Sequence, residues 1–206
     1  MLDAQHLKRI GIFGGSFNPI HTGHIHLARQ ILQKACLDEV WFMVSPLNPF
    51  KKEATDLLDN NLRLLMVQKA LEGEYGLKAS DYEFNLPKPS YTWSTLKHLS
   101  EDYPSCEFSL VIGADNWLAF DRWAKPEFIL SNYKIIVYPR NGYAIDETSL
   151  PHQVTLVNTE LYPVSSTEIR QRVRNGKSVK GLVPDCIEDM VSHYYYTNSC
   201  TLGSTS

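Results

Sequence analysis

Apolar positions along the chain fall into short unbroken runs, separated by stretches whose apolar residues recur at helical spacing. Residues 10–13 form the first run, and residues 26–35 follow with an amphipathic, helix-like pattern. Residues 40–44 (VWFMV) are uninterruptedly apolar and stop at Ser45 and Pro46, as expected of a strand buried on both faces. A polar loop (LNPFKKEATDLLDN) then leads into a helix over 61–71, read from Leu62, Leu65, Met66 and Ala70. A third strand is expected around 77–84. Pro87 and Pro89 break the chain, and Ser90 or Thr92 is placed to cap a helix running to about residue 100. Residues 108–112 (FSLVI) read as a strand ending at Gly113, Ala114 and Asp115. A short helix or turn over 117–123, a helix from Pro126 to residue 130, and strands at 133–138 and 154–157 come next. A basic helix over 169–174 and a last helix from 185 to about 195 close the pattern, before a tail (NSCTLGSTS) too polar to pack well. Strands alternating with helices imply a doubly wound parallel sheet in an α/β fold, with right-handed crossovers. In such a sheet, ligands bind at the carboxyl ends of the strands.

Composition changes this picture little. The 206 residues suit a single domain spanning 1–206, with about 163–206 as a C-terminal helical part. A formal net charge of −3 argues against a general nucleic-acid binder, which needs a basic surplus. Cys36, Cys106, Cys186 and Cys200 lie far apart with no CxxC pair, pointing to reduced thiols rather than a zinc site or disulfide framework. No apolar run reaches the roughly 18–20 residues of a membrane span, and the polar start (MLDAQHLKR) is unlike a signal peptide. A cytoplasmic protein without membrane or nucleic-acid partners is expected; a homo-oligomer stays open.

The chemistry concentrates in Gly14–His24 (GGSFNPIHTGH), between the first strand and the first helix. Gly14 and Gly15 allow the backbone to approach a ligand closely, and a helix N-terminus offers free N–H groups to phosphate. Two familiar phosphate loops do not fit. The stretch GIFGGSF lacks GxGxxG, and Gly176, Lys177 and Ser178 fail as a P-loop because Gln171 stands at the first glycine position. His21 and His24, three residues apart, share a helix face; a zinc site completed by His26 would need a residue on another face. A second cluster, Ser165, Ser166, Thr167, Glu168, Ile169 and Arg170, opens a helix with capping residues and a planar cation.

Ser16, Phe17, Asn18, Pro19, His21, Gly23 and His24 resemble the (T/S)FxPxHxGH signature of the HxGH nucleotidyltransferases, and the second cluster resembles their (I/V)SSTx(I/V)R motif. Ser90, Tyr91 and Thr92 with Thr95 and Leu96 are similar to the SYTxDTL segment of the bacterial nicotinate-nucleotide adenylyltransferase branch. So are Gly113, Ala114, Asp115, Phe120 and Trp123 to its G(A/Q)DxxxxFxxW segment, the PLNPFK stretch to PxxPPHK, and Gly181–Asp185 to its closing LVPD. The resemblance covers nearly the whole chain and implies a Rossmann-like sheet. It further implies transfer of the adenylyl group of ATP to nicotinate mononucleotide.

By that resemblance, His24, His21 and Arg170 are the catalytic set. ATP is held by Gly14, Gly15, Ser16, Phe17, His21, His24, Lys51, Gly113, Asp115, Ser166, Thr167 and Arg170. The pyridine nucleotide meets Asn18, Tyr91, Thr92 and either Trp117 or Trp123. No residue is assigned as a metal ligand, and Mg²⁺ is implied mainly through the ATP phosphates. The chain departs from the pattern at Phe50 (for histidine), Ser94 (for aspartate) and Lys88 (for glycine). Nicotinamide mononucleotide, phosphopantetheine, or a non-catalytic nucleotide sensor on the same fold are the alternatives.

Overall fold

A computed structural model of the chain describes residues 7–46 and 57–202, with side chains to 196. Its helices and strands alternate in the order β1 Lys8–Gly15, α1 Thr22–Lys34, β2 Glu39–Val44, α2 Asn60–Ala70, β3 Leu77–Ser80, α3 Thr92–Asp102, β4 Cys106–Gly113 and α4 Ala114–Trp117. They continue as α5 Pro126–Asn132, β5 Lys134–Tyr138, β6 Val154–Leu156, α6 Ser166–Arg174 and α7 Glu188–Leu202. The six strands form one sheet in the order β3-β2-β1-β4-β5-β6, every neighbouring pair parallel. The expected doubly wound sheet is what the chain forms.

Alternation along each central strand divides the core into two layers. Phe13, Phe42, Val111 and Ile136 point to one face, where Ile25 and Ile31 of α1, Met66 and Val67 of α2, Ile169 of α6 and Val191 of α7 cover them. Ile12, Met43, Ile112 and Val137 point to the other, against Leu96 and Leu99 of α3 and Ile129 of α5. Both faces are dry, so the strands read as near-continuous apolar runs. A Cβ on Gly11 would sit 2.7 Å from Leu37 Cδ1, so only glycine lets the loop after α1 pack this closely on β1.

Several boundaries differ from expectation, each for a local reason. α1 begins at Thr22, four residues before the apolar periodicity starts, because His21 caps it. β3 is an edge strand of four residues; beyond Ser80 the chain turns into a single 3₁₀ turn, Tyr82–Asn85, with Tyr82 N–H donating to Ser80 Oγ. α3 is preceded by Tyr91, with no side-chain cap from either Ser90 or Thr92. The 117–123 segment divides into α4 and a 3₁₀ turn, Phe120–Arg122. The last helix continues to Leu202, into the tail read as too polar to pack. The Pro46–Asp56 loop, apart from Pro46 itself, lies outside the described residues.

Strand order reverses between β1 and β4: β2 and β3 extend one way from β1, β5 and β6 the other way from β4. Connections therefore leave the carboxyl ends of β1 and β4 in opposite directions, opening the crevice in which doubly wound sheets bind ligands.

Candidate active site

A cavity of about 390 Å³ occupies that crevice. Gly14, Gly15 and Ser16 line it from the end of β1, Ser45 from β2, Gly113 from β4 and Tyr138 from β5. Tyr91, Thr92 and Thr95 approach from α3, and Trp123 closes one side.

At the start of α1, His21 and His24 cap each other. The His24 backbone N–H donates to His21 Nδ1 at 3.3 Å, and the His21 N–H donates to His24 Nδ1 at 3.3 Å. This is a capping box built from two imidazoles. The rings stack with centroids 3.6 Å apart and 21° between planes. Because each Nδ1 accepts, the hydrogen-bond network assigns the ring proton to Nε2 on both residues. Burial lowers the His21 pKa to about 4, the Arg140 guanidinium adding to the effect. Burial also holds His24 well below its ordinary value, with His21 and Arg140 as further causes. Both imidazoles are therefore neutral at neutral pH and present Nε2–H donors.

The loop before them is held from several sides. Phe17 adopts φ 44, in the left-handed region, and its ring meets His24 edge-on at 5.2 Å. Asn18, expected to touch the acceptor, is instead buried beneath the loop: its Oδ1 accepts from Tyr195 Oη–H at 2.6 Å and from Leu58 N–H at 3.2 Å. Ser166 Oγ donates to Pro19 O at 2.9 Å and Arg170 Nη1 to Asn18 O at 2.7 Å, so the SST helix is tied directly to the histidine loop. Thr167 is exposed at the start of α6, its Oγ1 accepting from Arg170 Nη2 at 3.5 Å. Lys51 and Phe50 lie outside the described residues.

Beyond β4, Asp115 Oδ1 is buried with no hydrogen-bond partner and lies 3.7 Å from Arg140 Nε. An acceptor in that state suits a hydroxyl donor from a ligand. A Cβ on Gly113 would fall 2.5 Å from that same oxygen, so glycine keeps the approach open. Of the two candidate aromatic platforms, Trp123 lines the cavity; Trp117 stacks on Phe120 at 5.3 Å within the apolar layer and is absent from the cavity lining among the described residues. His26, weighed as a third metal ligand, stacks on Tyr162 at 4.3 Å. Among the described residues no group of three or more histidine, cysteine, aspartate or glutamate side chains is placed to hold a metal ion.

Three charged groups here received no role from the sequence. Arg140, at the carboxyl end of β5, bears on both histidines and donates from Nη2 to Tyr138 Oη at 3.1 Å. Its loop was expected at the ligand-binding end of the sheet, but its side chain was given no part there. Glu83, in the turn after β3, lines the cavity as a buried carboxylate, and burial pushes its pKa up against the hydroxyls of Ser45, Thr95 and Ser90. Arg63 of α2 is fully buried under the loop.

The family model described as "Cytidylyltransferase-like" matches residues 12–172, a span that runs from β1 into α6. The chain belongs to the cytidylyltransferase-like family. Within the family it is 50% identical over 172 residues to the probable nicotinate-nucleotide adenylyltransferase of Bacteroides fragilis, covering 84% of this chain and 85% of that one. It is 44% identical over 194 residues to the protein of the same name from Bacteroides thetaiotaomicron, covering 94% and 95%. Among solved structures, the nicotinic acid mononucleotide adenylyltransferase of Plasmodium falciparum complexed with NaAD superposes with a TM-score of 0.73 at 20% identity, covering 92% of this chain and 95% of that one. The cytidylyltransferase-like match includes both the paired histidines and Arg170, the elements that meet around Asn18 and Pro19.

Proposed function

We propose that the chain, acting as one folded domain, transfers the adenylyl group of ATP to nicotinate mononucleotide, forming nicotinate adenine dinucleotide and pyrophosphate in NAD biosynthesis. The observation that carries the reading is the reciprocal cap of His21 and His24, which leaves two neutral Nε2–H donors at the helix N-terminus reached by the loop whose first residues, Gly14, Gly15 and Ser16, line the cavity. Two relatives named for this activity, at 50% and 44% identity over most of the chain, support the choice of acceptor.

In the reaction, a phosphate oxygen of the mononucleotide attacks the α-phosphorus of ATP in line. The bond to the bridging oxygen breaks, and its electron pair leaves with pyrophosphate. A phosphate monoester has its second pKa near ~6 and is largely ionised at neutral pH, so no general base is required. His24 and His21 donate to phosphate oxygens as charge redistributes, within a fixed, poorly hydrated site where such bonds count most. Arg170 carries its charge beside the histidine loop, while Ser166 and Thr167 open the helix that faces the phosphates. Lys51 completes the neutralisation of the triphosphate. Asp115 Oδ1 accepts from the ATP ribose. Tyr91 and Thr92 meet the edge of the pyridine ring, and Trp123 its face. Asn18 acts through its carbonyl and buried amide as a brace for the loop.

The residues present fit Mg²⁺ carried on the triphosphate by phosphate oxygens and water, since among the described residues the carboxylates of Glu83 and Asp115 belong to no group of three or more side chains placed to hold a metal ion. When bound, the ion supplies charge neutralisation. Among the described residues no helix is long and apolar enough to cross a membrane, in keeping with a cytoplasmic reaction. Pyrophosphate release from ATP, followed with each pyridine mononucleotide and phosphopantetheine in parallel, tests the proposal. Turnover with a pyridine mononucleotide supports it; ATP binding without turnover of any acceptor identifies a nucleotide sensor instead.

A further inference from the structure

Ser45, the residue that follows β2, is gripped by a buried cation from one side and a buried carboxylate from the other. Arg63 donates from Nε to Leu58 O at 2.9 Å, from Nη1 to Ser16 O, and from Nη2 to Ser45 O at 3.1 Å and Asn60 Oδ1 at 2.6 Å. All four acceptors are neutral. Asp59, whose charge bears on Arg63, uses its carboxylate to accept the Asn61 and Leu62 N–H groups at the start of α2. On the opposite side, Ser45 Oγ donates to Glu83 Oε2 at 2.9 Å, and Thr95 Oγ1 donates to Glu83 Oε1 at 2.9 Å. The Ser90 hydroxyl also bonds this carboxylate. Ser45 N–H is itself fixed on Gly15 O at 2.9 Å.

These bonds make one continuous polar bridge that joins the cavity-lining residues Ser16, Ser45, Glu83, Ser90 and Thr95 through the buried Arg63. It begins at Ser16 in the phosphate loop, residues 14–24, passes through Arg63, Ser45 and Glu83, and ends at Ser90 and Thr95, which flank Tyr91 and Thr92 of the acceptor loop. We propose that Arg63, Ser45 and Glu83 are positioning residues that set the spacing between the two halves of the site, Arg63 placing the phosphate loop and Glu83 the acceptor loop. The reason is geometric. In-line attack needs two substrates on separate elements aligned closely, and an error of about 1 Å costs roughly 10²-fold in rate. Apolar packing between α3 and the sheet tolerates small sliding, whereas directional hydrogen bonds to a shared residue do not. A guanidinium buried among neutral carbonyls is costly, and replacing it by an apolar side chain would relax the core but release the loop.

The inference rests on the reading of these loops as the ATP and mononucleotide halves of one site. Steady-state kinetics with ATP and nicotinate mononucleotide tests it in Ser45→Ala, Glu83→Gln, the double variant and Arg63→Lys, alongside thermal melts. Ser45→Ala cuts the bond to Glu83 and leaves the carbonyl held by Arg63. It should therefore raise KM for the mononucleotide about 5-fold or more and KM for ATP less than about 2-fold, and Glu83→Gln should do the same, with the double variant no worse than Glu83→Gln alone. Arg63→Lys keeps the charge, loses the fork, and should show the opposite split, with KM for ATP rising more. Equal rises in both KM values, additive effects of Ser45→Ala and Glu83→Gln, or unchanged kinetics overturn the proposal. If Arg63→Lys does not fold, the Ser45–Glu83 cycle decides alone. Wild-type protein that turns over no acceptor overturns the functional reading instead; the bridge then stands or falls on ATP affinity, which Arg63→Lys should weaken more than Ser45→Ala.

Discussion

Two imidazoles that cap one another combine structure and chemistry in the same atoms. Nδ1 of each satisfies a helix-terminal N–H, and this leaves Nε2–H as the ring donor not used by the cap. His24→Ala is accordingly expected to lower kcat by at least about 10²-fold with little change in KM, because the lost bond strengthens mainly in the transition state; near-normal kcat would remove His24 from the assigned role. Stability should report the same burial. The pKa of His21 falls from 6.5 to about 4 on folding, so between those values the unfolded chain binds the extra proton. Stability then decreases as pH drops through that window, by at most about 1.4 kcal/mol per pH unit for each such histidine. Glu83, whose pKa is raised by burial, acts in the opposite sense, gaining a proton on folding as pH falls. His21→Asn keeps a good capping residue and removes the titration, so its urea-derived stability should fall less steeply between pH 6.5 and 4 than that of the wild type. Parallel curves would show that His21 titrates normally. Trp123→Ala should raise KM for the mononucleotide well above its effect on KM for ATP if this cavity-lining tryptophan stacks on the pyridine ring as proposed; equal effects would make it a packing residue.

The two C-terminal helices are joined to the histidine loop by hydrogen bonds as well as by packing. α6 reaches it through Ser166 and Arg170, and α7 through Tyr195, whose hydroxyl meets the buried Asn18 amide 177 residues away in sequence. Tyr195→Phe deletes that single donor from a dry environment and leaves Leu58 N–H on the same oxygen, so it should cost about 1 kcal/mol in urea unfolding. No loss of stability would mean that the hydroxyl bond is dispensable. The Tyr194–Tyr196 run reads in sequence as packing, and burial of Tyr195 agrees; its hydrogen bond to the loop was not foreseeable without the fold. α3 differs in kind, because no side chain caps its first turn, and Tyr91, Thr92 and Thr95 at its start line the cavity.

At the scale of the molecule, much of the architecture was legible because periodicity and local chemistry determine it. Unbroken runs at VWFMV and FSLVI mark strands buried on both faces, and the alternation of strands and helices implies the parallel sheet whose crevice holds the cavity. The candidate site was legible where motif residues sit at strand ends, as at Gly14, Gly15 and Gly113, which line the cavity. It was illegible where function depends on distant partners. Arg63 reads in sequence as one polar position on α2, yet it reaches Ser16, 47 residues earlier. Glu83 sits in a stretch read as strand, and only the early end of β3 turns it toward Ser45 and Thr95. Asn18 lies inside the motif itself, but its burial follows from α7. The account as a whole, a cytidylyltransferase-like fold using neutral histidines to join ATP to a pyridine mononucleotide, is tested most directly by kcat/KM for ATP-dependent pyrophosphate release with nicotinate and nicotinamide mononucleotides side by side. It predicts turnover with both a clear preference for the acid form and loss of that turnover in His24→Ala; an equal or greater kcat/KM for the amide form would contradict it.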